Sequence, residues 1–113
     1  MAAADARTAW VDVCSFDQLI LGRGACALVE GTQVAIFPVE DQVFAPSNFD
    51  PFSQAFVLSR GIVGSKGERI KVASPVYKQS FDLTTGVCLD DPSVVVATFE
   101  ARVVDGRVLV ARP

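Results

Sequence analysis

Val95-Val96-Ala97-Thr98-Phe99-Glu100-Ala101-Arg102-Val103-Val104-Asp105-Gly106-Arg107-Val108-Leu109-Val110 is the stretch that decides the fold class. Val95, Ala97, Phe99, Ala101 and Val103 alternate with Val96, Thr98, Glu100 and Arg102. Successive side chains of a strand point to opposite faces, so the first set is expected inward and the second largely in water. Asp105-Gly106 then supplies two residues that tolerate positive φ, as a type I′ hairpin turn requires. The chain returns through Val108, Leu109 and Val110, with Val103 expected opposite Val108.

The same period extends outward along the chain. Gly24 to Glu30 and Gln33 to Phe37 read as a hairpin about Gly31-Thr32, with glycine first, as a type II′ turn prefers. Glu40-Asp41 turns the chain again toward Gln42 to Ala45, which makes a three-stranded meander. Phe56 to Leu58 reads as a short strand, and the glycine-rich Arg60 to Gly67 reads as a loop. From Glu68 to Ala73 the alternation returns, with Ile70 and Val72 inward and Arg69 and Lys71 outward. Ser74-Pro75 ends that strand, because proline cannot donate to a ladder. Ser80 to Leu83 and Val87 to Leu89 flank Thr84-Thr85-Gly86 as another hairpin. Helix is confined to one turn opened by Ser15-Phe16-Asp17-Gln18, which matches an S-x-x-Q capping box. Many short strands separated by turn residues predict an all-β domain: a small β-sandwich or partly open barrel of antiparallel strands. Residues 10–113 are assigned to that one domain, and the alanine-rich 1–9 to a frayed tail.

Composition narrows the chemistry. Among 113 residues there is no histidine, which removes the usual general base, the usual zinc ligand and any Ser–His or Cys–His pair. Ten cations against thirteen acids give a net charge of −3, the wrong balance for binding nucleic acid. No apolar run approaches the ~18 residues of a membrane span, and the start does not read as a signal peptide. Cys14, Cys26 and Cys88 are odd in number and never in C-x-x-C spacing. They read as unpaired, mostly buried structural thiols of a reducing cytoplasm.

Two irregular segments interrupt the strand pattern: Ser47 to Phe52, which holds the turn formers Asn48, Asp50 and Pro51, and Ser74 to Gln79. Loops on a rigid sheet are where function usually sits. The second continues as Ser74-Pro75-Val76-Tyr77-Lys78-Gln79-Ser80-Phe81-Asp82-Leu83-Thr84-Thr85-Gly86 and resembles the second cluster loop and hairpin of a Rieske domain. Such a domain holds its cluster by C-x-H on one loop and C-x-x-H on another. The resemblance places Ser74 and Tyr77 at the ligand positions of the second loop, and Asn48 and Asp50 at those of the first. It covers most of the chain and implies a Rieske-like fold. All four ligands are replaced by oxygen or amide groups, which suit iron–sulfur clusters poorly, so the expectation is a domain without a cluster.

The substitutions themselves carry a narrower likeness. Asn48-Phe49-Asp50-Pro51-Phe52-Ser53, Val57-Leu58-Ser59-Arg60-Gly61, Ser74-Pro75 and Tyr77-Lys78-Gln79 resemble the small subunit of assimilatory NAD(P)H-dependent nitrite reductases. Trp10-Val11-Asp12-Val13-Cys14 and Cys88-Leu89-Asp90-Asp91-Pro92 are similar too. The resemblance implies a non-catalytic accessory subunit of a cytoplasmic enzyme that reduces nitrite to ammonium. It also implies a large partner subunit carrying flavin, siroheme and a [4Fe–4S] cluster, with no cofactor on this chain. Phe49, Pro51, Phe52, Tyr77 and Lys78 are the candidate partner-binding residues. Against that stands a filling role, in which Phe49, Phe52 and Tyr77 occupy the space of the missing cluster. If these rings are exposed, the isolated chain is expected to self-associate. A free-standing Rieske-like β-domain binding a protein or small molecule is the alternative reading.

Other features read as structural. Gly61 to Gly67 with Lys66 fails the P-loop spacing and has no following helix. Asp90-Asp91-Pro92 offers too few oxygens for calcium and reads as a turn. Ser74, Tyr77 and Lys78 could be cast as a nucleophile with a lysine base, but no other motif supports catalysis there.

Overall fold

The computed structural model describes residues 10–112, and the expectation for residues 1–9 lies outside them. The described residues form twelve strands: β1 (Trp10–Ser15), β2 (Ala25–Val29), β3 (Thr32–Val39), β4 (Gln42–Pro46), β5 (Phe49–Asp50), β6 (Ala55–Phe56), β7 (Ile62–Lys66), β8 (Arg69–Ala73), β9 (Ser80–Asp82), β10 (Thr98–Phe99), β11 (Ala101–Val104) and β12 (Arg107–Ala111). Two single 3₁₀ turns, η1 (Phe16–Gln18) and η2 (Leu58–Arg60), are the helical elements among the described residues. All pairings are antiparallel. They form the sheets β1-β12-β11, β10-β4-β3-β2, β5-β6 and β7-β8-β9.

Turn chemistry sets the local register. Val103 pairs with Val108 across Asp105-Gly106, both at positive φ, so the type I′ turn is as expected. The β2-β3 hairpin differs by one residue. Val29 pairs with Thr32, so the turn is Glu30-Gly31, both at positive φ, and it is type I′ rather than II′. This register keeps Val29 and Val34 in the core, whereas a slip of one residue would turn the whole face outward. The capping box is complete: Gln18 Oε1 accepts from Ser15 N–H at 2.9 Å and Ser15 Oγ from Asp17 N–H at 3.3 Å.

Two other expectations are corrected. The segment expected as a loop over Arg60 to Gly67 contains β7, which pairs with β8 from Ile62–Ala73 to Lys66–Arg69. Gly64 hid it from the pattern. Glycine is tolerated there because β7 is an edge strand and nothing but the end of Lys71 approaches the space above Gly64. The long strand over Val95 to Val103 is broken into an isolated bridge at Val95, then β10 and β11. Its inward set holds from Phe99 onward, but Val96 is buried while Val95 and Ala97 are exposed. Val96 N–H donates to Gly86 O and Ser47 N–H to Ala97 O, so the backbone follows two partners and loses strict alternation.

Strand β3 separates two cores. Val34 and Ile36 face a base core with Val29, Val43, Ala45, Val108 and Val110. Ala35 and Phe37 face a tip core with Leu58, Val72, Phe81, Leu83, Cys88 and Val96. Burial on both faces explains the unbroken run Val34-Ala35-Ile36-Phe37-Pro38, where a one-faced strand would alternate. The tip core underlies the two irregular loops.

Asp82 anchors the hairpin beneath the second loop. Its Oδ1 accepts from Thr84 N–H at 2.7 Å and Thr85 N–H at 3.3 Å, and its Oδ2 accepts from Arg69 Nη1 at 2.7 Å. Burial acts to raise its pKa. The bonds from Thr84, Arg69 and Thr85 outweigh it and hold the carboxyl below the usual carboxylate range. A depressed folded-state pKa adds stability that is present above the unfolded value of about 4 and lost as pH falls through the folded value. Urea midpoints measured from pH 6 downward should therefore fall more steeply for the wild type than for Asp82→Asn. Parallel profiles would remove Asp82 from the acid response.

Candidate functional site

The four degenerate ligand positions lie at one end of the molecule, above the tip core. Asn48 is buried, and its side chain fastens the first loop to four elements. Its Nδ2 donates to Gln33 Oε1 of β3 at 3.1 Å, Phe56 O of β6 at 3.1 Å and Cys26 Sγ of β2 at 3.4 Å. Its Oδ1 accepts from Ser59 N–H of η2 at 2.7 Å.

Asp50 is completely buried. Its Oδ1 accepts from Phe52 N–H at 2.9 Å, and its Oδ2 accepts from Ser53 Oγ at 2.9 Å and also from Ser74 Oγ. Ser74 is buried as well and caps its own turn by accepting from Val76 N–H at 3.3 Å. Lys78 N–H donates to Ser74 O at 3.1 Å, with Lys78 in the left-handed region at φ 66°. The two loops are thus joined directly, through a histidine position of the first (Asp50) and a cysteine position of the second (Ser74). Tyr77, at the fourth position, turns away and is 61% exposed.

These residues do not fit a [2Fe–2S] cluster. No thiolate or imidazole stands at any ligand position, and the donor atoms of Asn48, Asp50 and Ser74 are engaged in hydrogen bonds. Asp50 and Ser74 touch, which leaves no space between them for two irons and their sulfides. Among the described residues no group of three His, Cys, Asp or Glu is placed to hold a metal ion.

The candidate partner-binding residues divide into two sets. Tyr77 and Lys78 are exposed. Phe49, Pro51 and Phe52 are half-buried: Phe52 packs on Phe81 with ring centroids 6.1 Å apart, and Phe49 meets Phe56 edge-on at 5.2 Å. Phe52 therefore packs against the tip core, whereas Tyr77 does not. Sequence reading missed Phe56, which is 54% exposed and lies across β5-β6 from Phe49. It also missed the exposed Val76 and Ile62. The Phe49–Phe56 pair was hidden because the turn between them uses Gln54 at positive φ, without a glycine to mark it.

The cysteines need a correction too. All three are free, but rather than being mostly buried only Cys88 is fully so, and Cys26 is exposed beside Asn48. Desolvation raises the pKa of Cys26, which keeps it a thiol that donates toward Gln33 Oε1 at 3.7 Å.

Comparison with known proteins agrees with this geometry. The family of Rieske-like [2Fe-2S] domains matches residues 9–111. The nitrite reductase (NADH) small subunit of Salmonella typhimurium is 48% identical over 101 residues, spanning 88% of this chain and 94% of that protein. The NMR structure of the E. coli protein NirD superposes with a TM-score of 0.82 at 47% identity, covering 89% of this chain and 94% of that one. A nitrite reductase [NAD(P)H] large subunit of Klebsiella oxytoca contains a segment 37% identical over 101 residues, which spans 89% of this chain and 11% of that protein. By fold, by loop sequence and by length, the chain belongs to the nitrite reductase small-subunit family of Rieske-like domains.

Proposed function

We infer that this chain is a non-catalytic accessory subunit of an NAD(P)H nitrite reductase. Its partner is the large subunit, and the reduction of nitrite to ammonium takes place there. The observation that carries this reading is the joint between the loops. Three of the four positions that would ligate a cluster are spent on holding the tip rigid, and the fourth side chain, Tyr77, is presented to solvent. A Rieske-like domain so altered keeps its surface and gives up electron transfer, so its contribution is positional. The Klebsiella oxytoca protein supports the pairing, since there a large subunit and a similar segment share one chain. On this reading flavin, siroheme and a [4Fe–4S] cluster reside on the large subunit, and the complex works in the cytoplasm.

The test is expression of the large subunit with and without this chain. The expected result is lower yield and lower NAD(P)H-driven nitrite reduction when it is absent. Full activity and stability of the large subunit alone would overturn the reading.

Tyr77 is the most exposed of the tip rings, and the exposed Val76 and Lys78 flank it in the chain. Truncating or charging a central interface aromatic costs about 2 kcal/mol or more, or roughly 30-fold in affinity. Tyr77→Glu is expected to weaken association with the large subunit by about that factor, with an unchanged urea midpoint. Undiminished association would place Tyr77 outside the interface.

A further inference from the structure

The charge of this protein is distributed unevenly. Residues 51–81 hold five of the ten cations, Arg60, Lys66, Arg69, Lys71 and Lys78, but only one of the thirteen acids, Glu68. That segment is net +4 within a chain of net −3. It includes the second loop and η2, which contribute the exposed Lys78 and Arg60, while Arg69 is paired with Asp82 just beyond it.

Two arginines share one feature of this end. The turn at Gly22-Arg23-Gly24 and the η2 segment Ser59-Arg60-Gly61 line an open concavity of about 390 Å³, with Ile62 at its edge. Gly24 lets the two backbones approach, since a Cβ there would lie 2.2 Å from Ser59 O, and Gly61 lets the end of η2 close on β8, where a Cβ would lie 2.4 Å from Ala73 O. Arg23 and Arg60 are exposed and form no ion pair among the described residues, whereas Arg69, Arg107 and Arg112 each hold a carboxylate. Two unpaired guanidinium groups over a backbone-walled hollow suit a carboxylate, which can accept from both.

The hollow is continuous with the tip. Ser59 N–H, on its wall, donates to Asn48 Oδ1. Ile62 is 72% exposed and pairs with Ala73, the residue before Ser74. Ile62 at the edge of the hollow and Val76 and Tyr77 of the second loop are exposed apolar side chains, and the exposed Lys78 follows Tyr77 in the chain. Exposed apolar side chains accompanied by unpaired cations match an apolar surface accompanied by acids.

We propose that the large subunit docks on this face through an acidic-rimmed apolar surface, with an Asp or Glu side chain seated between Arg23 and Arg60. The proposal rests on the accessory-subunit reading and specifies the chemistry of its interface. Opposite charges placed in this way steer association and fix its register.

The test is immobilised, purified large subunit binding this chain as wild type, Arg23→Glu/Arg60→Glu and Arg23→Gln/Arg60→Gln, at about 50 and 300 mM salt. The expected result is a loss of at least tenfold for the Glu pair at low salt, a smaller loss for the Gln pair, and a weaker salt dependence for both. Unfolding midpoints confirm that all three are folded. Wild-type affinity and wild-type salt dependence in the Glu pair would overturn the acidic docking site and leave the subunit reading intact. Failure of the wild type itself to bind would overturn both.

Discussion

Replacing Asp50 by alanine is expected to destabilise the domain by about 3 kcal/mol, among the larger effects available to a single substitution. The carboxyl group is fully buried and accepts from Phe52 N–H, Ser53 Oγ and Ser74 Oγ. Alanine leaves those donors without their partner, and water reaches the site poorly. An unsatisfied buried group costs about 1–3 kcal/mol, and three are affected here, each able to relax in part. Ser74→Ala removes one donor and leaves two bonds on Asp50, so about 1 kcal/mol is expected. If the joint is what locks the loops together, the double variant will be less destabilised than the sum of the singles, by about 1 kcal/mol. Urea unfolding at neutral pH reads all three, provided the slope stays constant. Strict additivity, or a loss below about 0.5 kcal/mol for Asp50→Ala, would mean that the two loops are held by something other than this bond.

Asn48→Ala carries a comparable expectation, about 3 kcal/mol, for a different reason. Asn48 uses both ends of its amide. Its oxygen takes Ser59 N–H, and its nitrogen serves Gln33 Oε1, Phe56 O and Cys26 Sγ. The residue therefore pins β5, β6 and η2 to the β2-β3 hairpin. Asn48→Asp is the discriminating variant. It keeps the acceptor for Ser59 but sets acceptor against acceptor at Gln33 and Phe56, so it should be no more stable than Asn48→Ala. A stable Asn48→Asp protein would show that only the Ser59 bond matters. Both variants should also weaken partner binding, because Phe56 and the Arg23–Arg60 hollow are positioned through these bonds.

The two loop residues show how far a substitution pattern can be read. That the ligand positions cannot hold a cluster follows from residue type alone, since the chain contains no histidine and no cysteine falls in either loop. What those residues do instead does not follow. Asp50 and Ser74 are 24 residues apart, and Asn48 and Cys26 are 22 apart. Nothing local announces that either pair meets. The half-burial of Phe52 was undetermined for the same reason, as it depends on Phe81 arriving beneath it.

The sequence by itself determined the elements whose cause is local. The Asp105-Gly106 turn, the Glu40-Asp41 turn and the Ser15–Gln18 capping box each depend on backbone preferences and hydrogen bonds within a few residues. Period-two alternation marked most strands, and absent side-chain types excluded a cluster and histidine chemistry. Tertiary structure decided the rest. It made β3 a wall between two cores, moved the β2-β3 turn by one residue, and broke the strand at Val95 so that Val96 faces inward. It also brought Arg23 and Arg60 to one hollow from segments 37 residues apart. The physical reason is common to all of these. A dihedral preference acts over a few bonds, whereas burial and cross-strand pairing depend on which distant segment supplies the other surface.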